Sequence, residues 1–121
     1  MAIDSRETAD LIGSDKVEGT AVYGADGTKI GAIDRVMIDK TRGNVAYAVL
    51  SFGGFLGIGD DYYPIPWSSL TYDTELGGYR TNLTNEKLTG APKYATGDWD
   101  WRDRQRTRRI NDYYGAPWME Y

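Results

Sequence analysis

The 121-residue chain has the length of one ordinary domain with short tails. It contains 14 Lys and Arg against 18 Asp and Glu, so its net charge of −4 provides no general attraction to nucleic acids or anionic lipids. It contains neither cysteine nor histidine, which excludes disulfides, thiolate nucleophiles and any side chain with an unperturbed pKa near neutrality.

The first residues are polar, and 1–13 are predicted to form a flexible N-terminal arm. A strand over 18–23 ends at an Asp-Gly pair, 26–27, which favours a hairpin turn. The partner strand over 29–39 alternates between apolar and polar residues, but the alternation slips at Ile33. A slip of this kind is typical of a β-bulge, which bends a strand.

A third strand is predicted over 44–52, and its apolar residues on both faces indicate a position covered from two sides. Further along, Pro64 and Pro66 fix the backbone φ angles on either side of Ile65 and so hold the path of the chain as it enters the fold. We therefore expect Trp67 to be largely buried. Short strands and a helix that begins after Thr84 complete the domain.

The segment 93–121 differs in composition from the domain over 14–92. It holds three of the four tryptophans and an arginine-rich run at 102–109. Asp98 is a suitable N-cap, so the pattern predicts a C-terminal helix over 99–114.

Four stretches in this order resemble the PRC-barrel family over about residues 14–90. They are 16–23 (KVEGTAVY), 31–39 (GAIDRVMID), 46–54 (AYAVLSFGG) and 63–70 (YPIPWSSL). The resemblance implies a mainly β fold: a small, highly bent antiparallel barrel with short helical additions. The family occurs in the photosynthetic reaction centre H subunit, in a ribosome-maturation factor and in stand-alone bacterial proteins, which this chain resembles most. Their known roles are docking and assembly, so the resemblance implies a binding module and transfers no catalytic residue.

The acidic residues predict no catalytic or metal site. Asp60 and Asp61 are adjacent, so on a strand they point to opposite faces, and in a loop they read as solvated turn residues. Asp98, Asp100 and Asp103 lack the mid-loop glycine and the distal glutamate of a calcium loop. We therefore expect a protein that is not an enzyme, with no metal, no cofactor and no small-molecule substrate.

The glycine-rich stretch 53–59 precedes acidic residues rather than a helix, which argues against a phosphate cradle. Its apolar residues lie between glycines with no evident way to reach the core. The stretch is therefore either a connector or a contact site for a partner. The candidate contact residues are Phe55, Leu56 and Ile58.

A second candidate contact surface lies in the C-terminal segment, where aromatic and arginine residues are of the types enriched at protein interfaces. The candidates are Trp99, Trp101, Arg102, Arg106, Tyr113, Tyr114 and Trp118. Because 98–121 holds five basic and five acidic groups, a protein partner or a second copy is preferred over a nucleic acid. We expect this segment to be the main self-association element and the barrel to fold without it.

The sequence thus predicts a non-catalytic protein-binding or assembly module that self-associates. The alternative is an RNA- or ribosome-associated factor that uses the 102–109 face, and whose binding would weaken steeply with salt. The longest apolar run, 45–50, is far shorter than the roughly 20 residues of a membrane helix, so no membrane insertion is expected. The N-terminus lacks the features of a signal peptide, which favours a cytoplasmic location.

Overall fold

The computed structural model describes residues 6–52, 61–94 and 99–116. Within these ranges the chain is mainly β, with short helices and a longer helix near the C-terminus, as the sequence predicts. The elements are α1 (Ser14–Val17), β1 (Ala21–Tyr23), β2 (Lys29–Ile38), β3 (Val45–Phe52), β4 (Asp61–Pro66), a 3₁₀ helix (Trp67–Ser69), β5 (Thr71–Asp73), β6 (Gly78–Arg80), α2 (Asn85–Thr89) and α3 (Arg104–Tyr114). None of the described helices is long and apolar enough to cross a membrane.

The strands form one sheet in the order β4-β3-β2-β1-β6-β5. Neighbouring strands run antiparallel except β1 and β6, where Val22 and Tyr23 pair in parallel with Tyr79 and Arg80. This pairing corrects the expectation of a wholly antiparallel sheet, because β6 returns to β1 only after four intervening strands. In the described part of the chain no pairing joins β4 to β5, so the sheet is not closed into the expected barrel.

Irregular pairing bends the long strand β2 in two places. The register between β2 and β3 shifts between Ile33 and Arg35 and again between Met37 and Ile38. The first shift confirms the bulge that the slipped alternation predicts, and such bulges increase the local twist of a sheet. At Gly31 a side chain would collide with the carbonyl oxygen of Ser51, so the close approach of β2 to β3 requires glycine.

The strand β3 is an interior strand that is covered on both faces, which confirms the interpretation of its apolar sequence. Ala48 and Leu50 belong to the main hydrophobic core, whereas Tyr47 belongs to a second cluster with Trp99 and Ile110. The main core also contains the fully buried residues Val22, Ile33, Ile65 and Leu88. The second cluster positions the C-terminal segment against the sheet.

Two features at the rim of the sheet complete the fold. Trp67 lies in the 3₁₀ helix beyond β4, where it is partly buried against the main core and its ring packs edge-on against Tyr79 at 5.2 Å between centroids. Residues 6–13 of the predicted N-terminal arm fold back, and the carboxylate of Glu7 accepts a hydrogen bond of 2.6 Å from Tyr72. Residues 1–5 lie outside the described ranges.

Candidate interaction surface

The helix α3 carries most of the described candidate residues, and its ends are set by its own sequence. Asp103 is the N-cap, and its carboxylate accepts a hydrogen bond of 3.0 Å from a backbone N–H of the first turn. At the other end Gly115 adopts a φ of 68° and caps the last turn. The helix therefore begins at Arg104 rather than at Trp99 as predicted, and Asp98 lies outside the described residues.

The inner face of α3 packs against the sheet although it is not a continuous apolar stripe. Ile110 is fully buried, and the polar residues Thr107 and Asn111 are buried beside it. Both polar residues have specific partners, because the indole N–H of Trp99 donates to the Thr107 hydroxyl and the hydroxyl of Tyr47 donates to the Asn111 side-chain oxygen. Buried Trp and Tyr side chains need such partners, so the polar positions complete the docking face rather than interrupt it.

Trp99 lies at the centre of this arrangement. Its side chain is 3% exposed, and the Arg106 guanidinium lies 4.2 Å from the centroid of its ring. The ring centroid of Trp101 lies 6.3 Å from that of Trp99 and 5.2 Å from that of Tyr47. The ring centroid of Tyr94 lies 6.5 Å from that of Trp99. Trp99 therefore contacts its own chain, and Arg106 covers one face of its ring.

The two tyrosines at the end of α3 occupy different environments. Tyr113 is partly buried, and the ammonium of Lys87 lies 4.1 Å from the centroid of its ring. The Tyr113 hydroxyl donates to the backbone carbonyl of Lys87, which fastens α3 to α2. Tyr114 packs against both hydrophobic clusters, and its buried hydroxyl has no hydrogen-bond partner among the described residues. Burial raises the pKa of Tyr114 well above its usual value.

The structure thus separates the candidates that the sequence grouped together. Trp99, Trp101, Arg106, Tyr113 and Tyr114 lie on or beside α3 and contact their own chain. Arg102 is exposed, and its guanidinium lies 3.4 Å from the carboxylate of Asp100. The remaining candidates, Phe55, Leu56, Ile58 and Trp118, lie outside the described residues.

A groove of about 580 Å³ lies between α3 and the chain that follows α2. Basic side chains line it, together with one carboxylate and two aromatic rings; the lining residues are Gly90, Ala91, Pro92, Lys93, Trp99, Arg106, Arg109, Asp112 and Tyr113. The ammonium of Lys93 lies 2.9 Å from the carboxylate of Asp61, and this hydrogen bond raises the pKa of Lys93. The groove therefore keeps its positive charges at neutral pH.

Within residues 6–52, 61–94 and 99–116, no three acidic side chains come together in a way that would hold a metal ion. The charged groups of the groove are two guanidinium groups, an ammonium and one carboxylate, which form an arrangement for charge recognition.

The model of the PRC-barrel domain matches residues 9–88, about two-thirds of the chain. The chain belongs to the PRC-barrel family. No curated protein matches it. The match covers the six strands and reaches α2, so α3 lies beyond the matched PRC-barrel region while Tyr47, on which the C-terminal segment packs, lies inside it.

Sequence reasoning missed Lys93 in this PRC-barrel protein. Lys93 is placed beside α3 because the next residue, Tyr94, exchanges backbone hydrogen bonds of 2.8 and 3.0 Å with Tyr62 of β4. The rings of these two tyrosines also stack, with centroids 5.3 Å apart. A pairing between residues so far apart leaves no local pattern, and the arginine run was the signal that pointed to this region.

Proposed function

We propose that this protein is a non-catalytic protein-binding or assembly module that self-associates through α3, and that it works in the cytoplasm. The observation that supports this most is the division of α3 into a packed face and a charged face. Thr107, Ile110 and Asn111 are buried against the sheet, whereas Arg104 and Arg108, one helical turn apart, are exposed.

The charge distribution favours association between copies. α3 carries four arginines and one aspartate, a net charge of +3. Because the whole chain carries −4, the rest of it carries −7. The α3 helix of one copy and the remainder of another therefore carry net charges of opposite sign. Such complementarity speeds the encounter of two proteins and fixes their relative orientation.

The chemistry of the groove supports binding rather than catalysis. The chain holds no histidine and no cysteine, and the cations of the groove remain charged at neutral pH. General acid–base catalysis requires a group that gains and loses a proton near the working pH. Lys93, Arg106 and Arg109 instead suit the recognition of a charged partner.

The aromatic contacts favour a protein partner over RNA. Single-stranded nucleic acids bind by stacking bases on open ring faces. In this chain Arg106 covers Trp99, Lys87 covers Tyr113, and the rings of Tyr62 and Tyr94 stack on each other. The arginines carry charge that attracts phosphates, but Trp99 and Tyr113, the rings that the sequence grouped with them, are already in contact with other side chains.

Sedimentation equilibrium over a range of protein concentrations tests this proposal. We expect the wild type to be a dimer or larger, and the double variant Arg104→Glu/Arg108→Glu to be monomeric. Glutamate is favourable at a helix N-terminus, so Arg104→Glu does not weaken the first turn of α3. The matched control is Lys29→Glu/Lys40→Glu, which makes the same charge change at exposed residues of β2 and the following turn.

The control should associate as the wild type does. A wild type that is monomeric at every concentration contradicts self-association. A double variant that associates as tightly as the wild type contradicts the assignment to α3.

A further inference from the structure

We propose that the groove between α3 and residues 90–93 binds an extended acidic segment of a protein partner. This inference rests on the proposed function and names the chemistry that the partner presents. Its carboxylates would contact Lys93, Arg106 and Arg109, the three cations that line the groove.

The groove is positively charged. The groove lining contains three cations and one carboxylate, Asp112, on a chain whose net charge is −4. The net charge of the groove remains positive when Asp61, the partner of Lys93, is counted as well. A local excess of positive charge on an acidic protein favours a short acidic ligand.

The position of Arg106 on the helix also favours an anionic ligand. Arg106 lies in the first turn of α3, which contains no acidic residue. The N-terminus of a helix carries a partial positive charge, so a cation there is unfavourable for the helix alone. A carboxylate bound at Arg106 would relieve this repulsion, which couples ligand binding to the stability of α3.

Arg106 is already held in place by a stacked ring. Its guanidinium lies 4.2 Å from the ring centroid of Trp99, and Trp99 is itself fixed by its hydrogen bond to Thr107. A guanidinium that stacks on a ring keeps its planar N–H groups for a carboxylate. Because little side-chain freedom remains to be lost, binding costs less entropy.

The size of the groove favours a segment over a folded domain. Its volume of about 580 Å³ lies in the range of roughly 300–1,000 Å³ that small ligands and short peptides occupy. Pro92 and Tyr113, which are both partly exposed, contribute apolar surface to the lining beside the cations. An acidic chain with an apolar residue among its carboxylates fits this lining.

A long nucleic acid fits the observations less well. The ring faces that would stack with bases are covered by Arg106 and Lys87. Asp112 lines the groove and Asp61 lies beside Lys93, and both carboxylates repel a continuous polyanion. A peptide places its carboxylates only where the cations are.

Fluorescence anisotropy with a rhodamine-labelled oligoglutamate peptide tests the inference, and an oligoglutamine peptide of equal length is the matched probe. We expect the oligoglutamate to bind the full chain about tenfold or more tightly than the oligoglutamine does. Arg109→Glu and Lys93→Glu should each weaken oligoglutamate binding about tenfold, whereas Lys40→Glu, away from the groove, should change it less than about twofold. Circular dichroism melts check that each variant is folded.

Three results would overturn the inference: equal binding of both peptides, unchanged binding by Arg109→Glu and Lys93→Glu, or a single-stranded oligouridylate that binds more tightly and displaces the peptide. Sedimentation of the same samples separates this inference from the proposed function. If the protein self-associates but does not bind the peptide, the proposed function stands and only the assignment of a ligand to the groove is contradicted. If the peptide dissociates the oligomer, the groove is occupied by a second copy of the chain, which contradicts binding of a different partner protein.

Discussion

The indole N–H of Trp99 donates a hydrogen bond of 3.1 Å to the hydroxyl of Thr107, eight residues further along the chain. Both side chains are buried, at 3% and 2% exposure. The bond fastens the turn before α3 to the helix itself, and it places Trp99 beneath Arg106. The charged groove therefore depends on a neutral hydrogen bond inside the fold.

Thr107→Val should destabilise the protein by about 1–3 kcal/mol, because it keeps the shape of the side chain but leaves a buried N–H without its acceptor. The free energy of unfolding in urea measures the effect. Thr107→Ser is the control, because it retains the hydroxyl and should cost less. Equal losses in the two variants would show that the hydroxyl does not matter.

Two Tyr→Phe substitutions should change stability in opposite directions. Tyr47→Phe removes a buried hydrogen bond to the side chain of Asn111 and should cost about 1–2 kcal/mol. Tyr114→Phe removes a buried hydroxyl that has no partner among the described residues, and should raise stability by about 1 kcal/mol. Urea unfolding of both variants beside the wild type decides the matter, and losses of the same sign and size would contradict it.

Stability should fall at alkaline pH because burial raises the pKa of Tyr63, Tyr79 and Tyr114 in the folded chain. Below about pH 10 these phenols are protonated in both the folded and the unfolded state, so they cause no pH dependence. Above it the unfolded chain releases protons that the folded chain retains, so the free energy of unfolding decreases as the pH rises.

Urea unfolding between about pH 9 and about pH 11 measures this decrease. Tyr114→Phe should lose less stability than the wild type over the same interval, because one of the phenols with a raised pKa is gone. Identical pH profiles for the two proteins would show that Tyr114 does not contribute.

The long strands were predictable from the sequence because their signals are local. The alternation in β2, its slip at Ile33 and the doubly apolar β3 all reflect contacts between chain neighbours or adjacent strands. The parallel pairing of β6 with β1 was not predictable, since it joins strands separated by most of the domain and leaves no periodicity.

The candidate site was predictable in composition but not in arrangement. Trp99 and Arg106 were both named, but as exposed contact residues, whereas they stack on each other against the fold. Thr107 and Asn111 interrupt the apolar pattern of α3, and the side chains that pair with them, Trp99 and Tyr47, lie outside the helix. Asp98 and Asp103 are equally good N-caps by local pattern, so sequence alone did not place the start of α3.

Truncation after residue 97 should destabilise the sheet rather than release a stable domain, in contrast to the expectation from sequence. Tyr47 is only 2% exposed because Trp99, Trp101 and Ile110 pack around it, and truncation removes all three. The single substitution Ile110→Ala should already cost about 2–5 kcal/mol, since it opens a cavity at a fully buried position. Thermal melts by circular dichroism of the truncated chain, Ile110→Ala and the wild type measure the loss.

The control for this experiment is Arg108→Ala, at an exposed position of the same helix, which should melt within a few degrees of the wild type. A truncated chain that melts at the same temperature as the wild type would show that residues 99–116 do not contribute to the stability of the sheet. If it melts far lower, as we expect, loss of self-association on truncation would follow from unfolding. Charge reversal on the exposed face of α3 is therefore the informative test of assembly, because it leaves the packed face of Thr107, Ile110 and Asn111 intact.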